Sequence, residues 1–320
     1  MKTSLVATVL NEEKNIVALL SSILHQSRKP DEVIIVDGGS KDKTVSIIKE
    51  WISKIKSEKS RKRFSLLIKK GNRSIARNEG IKRARGDIIL LSDAGCFLDR
   101  NWTKNIIKPF SNPKVDVVAG YYKGLARNIF EKCLIPYVLV MPDRINPNNF
   151  LPSSRSMAFR KLIWKKVGGF PKDYSSNEDY VFAKKLKKIN ARIYFKRNAI
   201  VFWLPRRNIF QAFVMFFRFA LGDAQAGILR PKVLILLARY IFGAWILIYS
   251  LYFSLYFMLQ LIFYILLVYI LWSIWKNYKY VKDKAALIYL PLIQFTADIA
   301  IIFGTILGFF KSVWDIQDKR

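Results

Sequence analysis

The chain is poor in acid, in histidine and in cysteine. Its 320 residues hold 23 Asp and Glu against 54 Lys and Arg, with one histidine and two cysteines. The single histidine, His25, falls in a predicted first helix and reads as structural, and no Ser-His-Asp order is present. No P-loop and no G-x-G-x-x-G occurs either, which speaks against hydrolase, NTPase and dinucleotide chemistry. Cys96 and Cys133 lack metal-ligand spacing and are too few for a disulfide framework, so a reducing compartment is expected. The apolar run after Met1-Lys2 is too short for a signal h-region, and the N-terminal domain is expected in the cytoplasm. No internal repeat is visible.

What is present is unevenly distributed. The formal net charge of +31 suits anionic partners: nucleic acid, phosphates or the anionic leaflet of a membrane. Residues 233–310 are dominated by Ile, Leu, Phe, Tyr and Trp, which favours the membrane surface over nucleic acid. The length asks for more than one region.

Scarce acids are informative where they do occur. Four short apolar runs each break off into a polar signature. Val6–Leu10 runs into Asn11-Glu12-Glu13, and Glu32–Val36 into Asp37-Gly38-Gly39-Ser40. Phe64–Ile68 leads to Gly71, Arg73 and Arg77-Asn78, and Asp87–Leu91 runs into Ser92-Asp93-Ala94-Gly95. Helix-like stretches follow at about 13–26, 43–57, 73–84 and 100–108, with Asp42 as the N-cap of the second. Strand alternating with helix at this spacing predicts a parallel sheet with crossover helices. Open α/β sheets bind ligands beyond the carboxyl ends of their strands, so these signatures mark a candidate site. Each also has a plain structural reading: helix caps and first-turn acids for Asn11-Glu12-Glu13, a sharp turn for Asp37–Ser40, a solvated basic face for Arg73 and Arg77. Asp93 is the sharpest of the set, since an acid directly after an apolar strand could hold a divalent cation bridging phosphates.

A strand is expected near Val115–Ala119. Prolines break 120–155 into helix and loop pieces. A strand at Ser156–Phe159, a turn at Gly168-Gly169-Phe170-Pro171 and a helix over 178–189 follow, the helix burying Tyr180, Phe182 and Leu186. Short strands near 192–196 and 199–203 close the domain. Glu178-Asp179 opens its helix either as first-turn acids or as a site for a general base.

Residues 207–222 form a helix whose Asn208, Gln211 and Arg218 share one face. It reads as lying in the membrane interface or, alternatively, as buried under the domain. The 43 residues from Val233 to Trp275 carry one formal charge, Arg239. As one helix they would extend roughly 65 Å against a ~30 Å hydrocarbon core, so two spans with a turn near 252–256 are expected. The loop with Lys276, Lys279, Lys282 and Lys284 should be cytoplasmic, with Trp272 and Trp275 at the interface. A third apolar stretch, 285–310, holds Asp298 and the Gly304-x-x-x-Gly308 spacing of close helix packing. Asp298 is either a functional carboxyl or the wet face of a tilted helix. The expected organisation is an α/β domain over 1–206, an interfacial helix and linker over 207–232, and a membrane region over 233–320 with apolar segments 233–253, 255–275 and 285–310.

Taken in order, these segments resemble the inverting nucleotide-sugar glycosyltransferases of family 2, with a GT-A fold, a Rossmann-like, mostly parallel sheet. The matching pieces are Val9–Glu13, Ile35–Thr44, Ala76–Ile81, Leu91–Gly95, Met157–Arg160, Val167–Pro171 and Glu178-Asp179. The resemblance covers roughly residues 3–205. It implies that Asn11, Glu13, Asp37, Arg77, Ser92 and Asp93 hold a nucleotide diphosphate sugar. It implies that Asp93 matches the aspartate of the metal-binding DxD motif, with Mg2+ or Mn2+ as cofactor, and that Asp179 matches the catalytic base, with Glu178 beside it. Gly95 stands where the second DxD carboxylate belongs. No Q-x-x-R-W motif is present, which disfavours processive synthesis.

The expectation is therefore a multi-pass membrane enzyme moving a single sugar to a lipid-linked acceptor on a polyprenyl or dolichyl carrier, with Gln211, Arg218 and Asp298 on the acceptor side. An intact Glu178-Asp179 favours a hydroxyl acceptor. A polyprenyl-phosphate sugar synthase, whose acceptor oxygen is already ionised, is the alternative. A non-enzymatic basic membrane protein recruiting an anionic partner is the remote one.

Overall fold

Runs of Val, Ile and Leu alternate with amphipathic stretches, and the computed structural model, which describes residues 1–174, 176–253 and 256–317, folds them in that order. The first part comprises β1 (Thr3–Val9), α1 (Ile16–Leu24), β2 (Glu32–Asp37), α2 (Thr44–Ser53), the single turn α3 (Glu58–Arg61), β3 (Phe64–Ile68), α4 (Arg73–Arg83) and β4 (Ile88–Asp93). Then come β5 (Cys96–Leu98), α5 (Trp102–Ile107), β6 (Val117–Gly124), α6 (Ile129–Val138), β7 (Met157–Arg160), α7 (Lys161–Lys166), α8 (Glu178–Lys188) and β8 (Ile193–Trp203). The last part is helical: α9 (Ile209–Gln225), α10 (Pro231–Tyr252), α11 (Tyr256–Val281) and α12 (Ala286–Gln317).

The strands form one sheet in the order β3-β2-β1-β4-β7-β6-β8-β5. Pairings among β1 to β4 are all parallel. The second half is mixed: β7 runs antiparallel to β4 and β6, β6 and β8 are parallel, and β5 is antiparallel to β8. The mostly parallel sheet expected from the sequence thus describes the first half. β1 and β2 are buried along their whole length, as parallel strands covered on both faces should be.

Three details depart from expectation. β5 was not anticipated, because three residues are too few for a periodic signal. Two short strands were expected at 192–196 and 199–203, but they are one strand whose register against β6 shifts between Gly120 and Tyr121. Tyr180 is half-buried, whereas Phe182 and Leu186 are buried as expected. Phe182 stacks on Phe170, 4.0 Å between centroids, and this pair anchors the 168–171 turn in the core. Gly168 and Gly169 take φ of 73° and 74° there, a region that favours glycine.

The chain divides into two compact units. One joins Met1–Leu125 with Val140–Leu204; the other joins Ala126–Leu139 with the chain from Pro205 onward. Within the span expected as the α/β domain, 1–206, α6 groups with the helical unit. Its Phe130 meets the Tyr289 ring edge-on, and the Tyr137 hydroxyl donates to the Leu290 carbonyl at 2.8 Å.

Within the helical unit α9 packs along α12. A Cβ at Gly304 would collide with the Phe217 carbonyl oxygen, and one at Gly308 would lie 2.7 Å from that of Leu221. The small-residue spacing thus lets two backbones approach. Ala212, Met215, Phe216 and Ala220 are buried, while Phe210, Gln211 and Arg218 are exposed. One face of α9 is therefore packed and the other open, between the two readings of this helix. Asn208 caps it by accepting from Gln211 N at 2.9 Å, and Gln211 Oε1 accepts from Arg207 N. Residues 231–252, 257–281 and 286–311 are helices long and apolar enough to cross a membrane. Of the expected turn near 252–256, residues 254 and 255 lie outside the described residues.

Candidate active site

The site is built where β1, β2 and β4 end. Asn11, in a left-handed conformation with φ 54°, accepts on Oδ1 from Lys41 N at 2.9 Å, and its own N donates to Ser40 Oγ at 2.8 Å. Glu13 Oε2 accepts from Lys43 N at 3.2 Å. Asp37 is fully buried; its Oδ1 accepts from Gly39 N and Ser40 N, its Oδ2 from the Ser40 hydroxyl. Asp42 accepts from Thr44 N and from Glu13 N, so it supplies the predicted cap from one residue before the N-cap position, Lys43. These acids and Asn11 lace the loop after β1 to the loop after β2. Both Asp37 oxygens accept from its own turn and so fix the start of that loop.

The charged centre lies alongside. Arg77, on α4, is 1% exposed. Its Nη2 donates to Asp93 Oδ1 at 2.9 Å and its Nη1 to Glu178 Oε1 at 3.1 Å, and its guanidinium lies 4.8 Å from the Phe170 ring centroid. Arg77 is thus turned inward to hold two acids in place. Glu178 is likewise buried. The next residue along, Asn78, pins the 168–171 turn by accepting from Phe170 N and Trp164 Nε1 and donating to the Phe170 carbonyl.

Two serines join the remaining acids. Ser154 Oγ donates to Asp93 Oδ2 at 2.8 Å, and Ser153 Oγ donates to Asp179 Oδ2 at 2.8 Å. Ser154 N reaches the same Asp179 oxygen at 3.3 Å. Asp179 Oδ1 accepts from Tyr180 N at the start of α8. A single loop before β7 therefore ties Asp93 to Asp179, and Arg77 ties Asp93 to Glu178. Burial pushes the Asp93 carboxyl up, but Arg77, Arg73 and the Ser154 hydroxyl more than offset it and hold it below the ordinary carboxylate value. Burial pushes the Cys96 thiol up to about 12, so it is no nucleophile at neutral pH.

Among the predicted site residues, Asp93, Arg77, Glu178 and Asp179 come together as one bonded group. Asn11, Glu13 and Asp37 form the neighbouring loop clasp. Ser92 is buried in β4, its hydroxyl without a hydrogen-bond partner among the described residues. Gln211, Arg218 and Asp298 belong to the helical unit. There Asp298 is 3% exposed and accepts from Arg239 Nη2, Gln294 Nε2 and the hydroxyls of Tyr240 and Tyr269 at 2.6–3.0 Å. It is paired and buried, not on a wet face. Sequence reasoning missed Ser153, Ser154 and Arg155. The available signal was a polar Ser-Ser-Arg run directly before the predicted strand at 156–159.

No three of His, Cys, Asp and Glu converge as a metal cage among the described residues. A small hard cation such as Mg2+ needs only one or two carboxylates beside substrate phosphates and water. The Asp93 side chain is 27% exposed, and a side chain at Gly95 would meet nothing within 4 Å. One partly exposed carboxylate, Asp93, fits that donor set.

Residues 4–161 match the family model of Glycosyl transferase family 2. The chain carries a family 2 glycosyltransferase domain. A dolichyl N-acetyl-alpha-D-glucosaminyl phosphate 3-beta-D-2,3-diacetamido-2,3-dideoxy-beta-D-glucuronosyltransferase of Methanococcus voltae is 25% identical over 64% of this chain and 68% of its own length. The O-antigen chain rhamnosyltransferase RfbN of Salmonella typhimurium is 24% identical over 63% of this chain and 66% of its own length. Among solved structures, the mannosyltransferase PcManGT from Pyrobaculum calidifontis, in complex with GDP-Man and Mn2+, resembles 98% of this chain over 87% of its own, with a TM-score of 0.59 at 19% identity. The GT-A-like fold of the glycosyltransferase domain, followed by apolar helices, agrees with that likeness.

Proposed function

We propose that the protein transfers one sugar from a nucleotide diphosphate sugar to a lipid-linked acceptor, with inversion at the anomeric carbon and Asp179 as the base. The observation that carries this reading is the division of labour among the acids. Glu178 is buried against Arg77, whereas Asp179 accepts from hydroxyl and backbone donors of the Ser153-Ser154 pair that also bonds Asp93. In the reaction an acceptor hydroxyl attacks the anomeric carbon as Asp179 takes its proton. The bond from that carbon to the diphosphate oxygen breaks, and the diphosphate leaves with its electron pair. Asp93 would hold a divalent cation, which when bound would offset charge on the leaving diphosphate. Arg77 acts through others, fixing Asp93 and Glu178. An acceptor oxygen already ionised would need no base, so the anchoring of Asp179 favours a hydroxyl. The three apolar helices would keep the enzyme at the membrane where a lipid-linked acceptor resides, with the glycosyltransferase domain on the cytoplasmic side.

The test is a donor screen on the full chain in detergent, with nucleotide sugars and Mn2+ or Mg2+, followed by NMR of the product linkage. Saturable donor binding and an inverted anomeric configuration are expected. Retention of configuration would refute the single displacement.

A further inference from the structure

Arg73, Arg77 and Arg155 all act on Asp93 from the same unit, and the last two are used differently. Arg77 has its terminal nitrogens on Asp93 and Glu178. Arg155 follows the serine that bonds Asp93, yet it makes no hydrogen bond or ion pair with any described residue. Its guanidinium lies over two rings instead, 5.6 Å from the Tyr122 centroid and 5.7 Å from the Trp203 centroid. Such contacts orient a cation without consuming its N–H donors. Trp203 stands opposite Cys96 in the β5–β8 pairing, just beyond the Asp93-Ala94-Gly95 turn. Asp93 and Asp179 both act on the Arg155 charge without pairing with it. The fork is therefore positioned over Trp203, whose partner Cys96 directly follows Gly95, and it is partly desolvated and uncommitted.

We propose that Arg155 is a specificity residue for the donor's diphosphate, gripping it with the guanidinium fork. This rests on the reading of the site given under Proposed function. A planar fork of donors matches two phosphate oxygens, and charge-assisted bonds of this kind are the stronger ones. It also supplies positive charge to the diphosphate from the protein itself, where the chain has Gly95 in place of a carboxylate that would help recruit a metal.

The test titrates UDP, GDP and CDP, and the matching monophosphates, into the full chain in detergent by calorimetry, with Mn2+ and with EDTA. For the base that binds wild type, Arg155→Gln should weaken the diphosphate about tenfold or more and the monophosphate by less than about twofold. Arg155→Lys, which keeps the charge but not the fork, should fall between. In EDTA, wild type should still prefer diphosphate to monophosphate, and Arg155→Gln should lose that preference. Unchanged diphosphate affinity in Arg155→Gln would overturn the proposal while leaving the active-site reading standing. Equal losses for both ligands in both variants would overturn it too, since they mark a loop-shaping role. If none of the nucleotides binds wild type, the site reading itself falls and takes this proposal with it.

Discussion

Two arginine–aspartate networks, one in each unit, are wired in opposite senses. In the α/β unit one buried arginine, Arg77, serves two acids, and a third, Asp179, stands beside them held by serines. In the helical unit one buried acid, Asp298, is served by one arginine and three neutral donors. In direct pairing the first arrangement leaves acids in excess of bonded arginine, with Arg73 and Arg155 near Asp93 but not paired with it, and leaves part of Asp93 open. The second balances its charge and fills the carboxylate's acceptor sites. An unbalanced cluster next to open space is equipped to act on a ligand, whereas a balanced one inside apolar helices holds helices together.

The largest contrast should appear in catalysis. Asp179→Asn keeps the shape of the cluster but removes the base, so sugar transfer should fall by about 10²–10⁴-fold with donor affinity little changed. Labelled-sugar transfer and donor titration on the same preparation check both halves. Asp298→Asn should leave the chemical step within a few-fold of wild type. Transfer by Asp179→Asn at near-wild-type rate would erase the distinction between the two networks.

Stability should separate them next. Arg77→Gln strips the cation from two acids, one of them fully buried, and should cost about 3–5 kcal/mol, since an uncompensated buried charge is left behind. Arg239→Met should cost only about 1–2 kcal/mol, because Tyr240, Tyr269 and Gln294 still donate to Asp298. Thermal unfolding of both variants in one detergent gives the comparison, and equal losses would break it. Gly304→Val tests helix packing alone: its side chain would meet the Phe217 carbonyl and Ala220, for an expected loss of about 1–3 kcal/mol.

Acid should affect the α/β unit through Asp93. Its folded value lies below the ordinary one, so its contribution to stability is full above the unfolded carboxylate value, about 4, and is lost as pH falls through the lowered folded value. Asp93→Asn should therefore flatten the acid limb of stability below about pH 4. A denaturation series from pH 7 to pH 3 reads this directly.

Much of this was legible before the structure because strand-end acids follow periodic runs. β1, β2 and β4 are continuous apolar segments, and the residues just past them had to gather at one sheet edge. The Gly304-x-x-x-Gly308 contact was legible for the same reason, a fixed helical spacing. What was not legible depends on pairing across long separations. Glu178, one of the two acids on Arg77, is 101 residues away. The Ser153–Arg155 loop has no period to betray it. The membership of α6 in the helical unit is decided by Phe130 and Tyr137 meeting Tyr289 and Leu290, which no local pattern encodes.

The smallest expected effect concerns the open face of α9. Gln211 is spent on the helix start, so its polarity has a structural reason. Arg218 is exposed, and none of the described residues pairs with it. Arg218→Ala should change stability by less than about 0.5 kcal/mol, as surface substitutions do. If Arg218 meets the anionic part of a lipid-linked acceptor, the variant should raise the acceptor KM a few-fold, leave kcat unchanged, and show the same donor affinity as wild type. A change in kcat would move Arg218 into the chemistry, and no change in either would make it a solvated charge. Measured beside Asp179→Asn, which should lower kcat, it separates an effect on acceptor capture from one on proton removal.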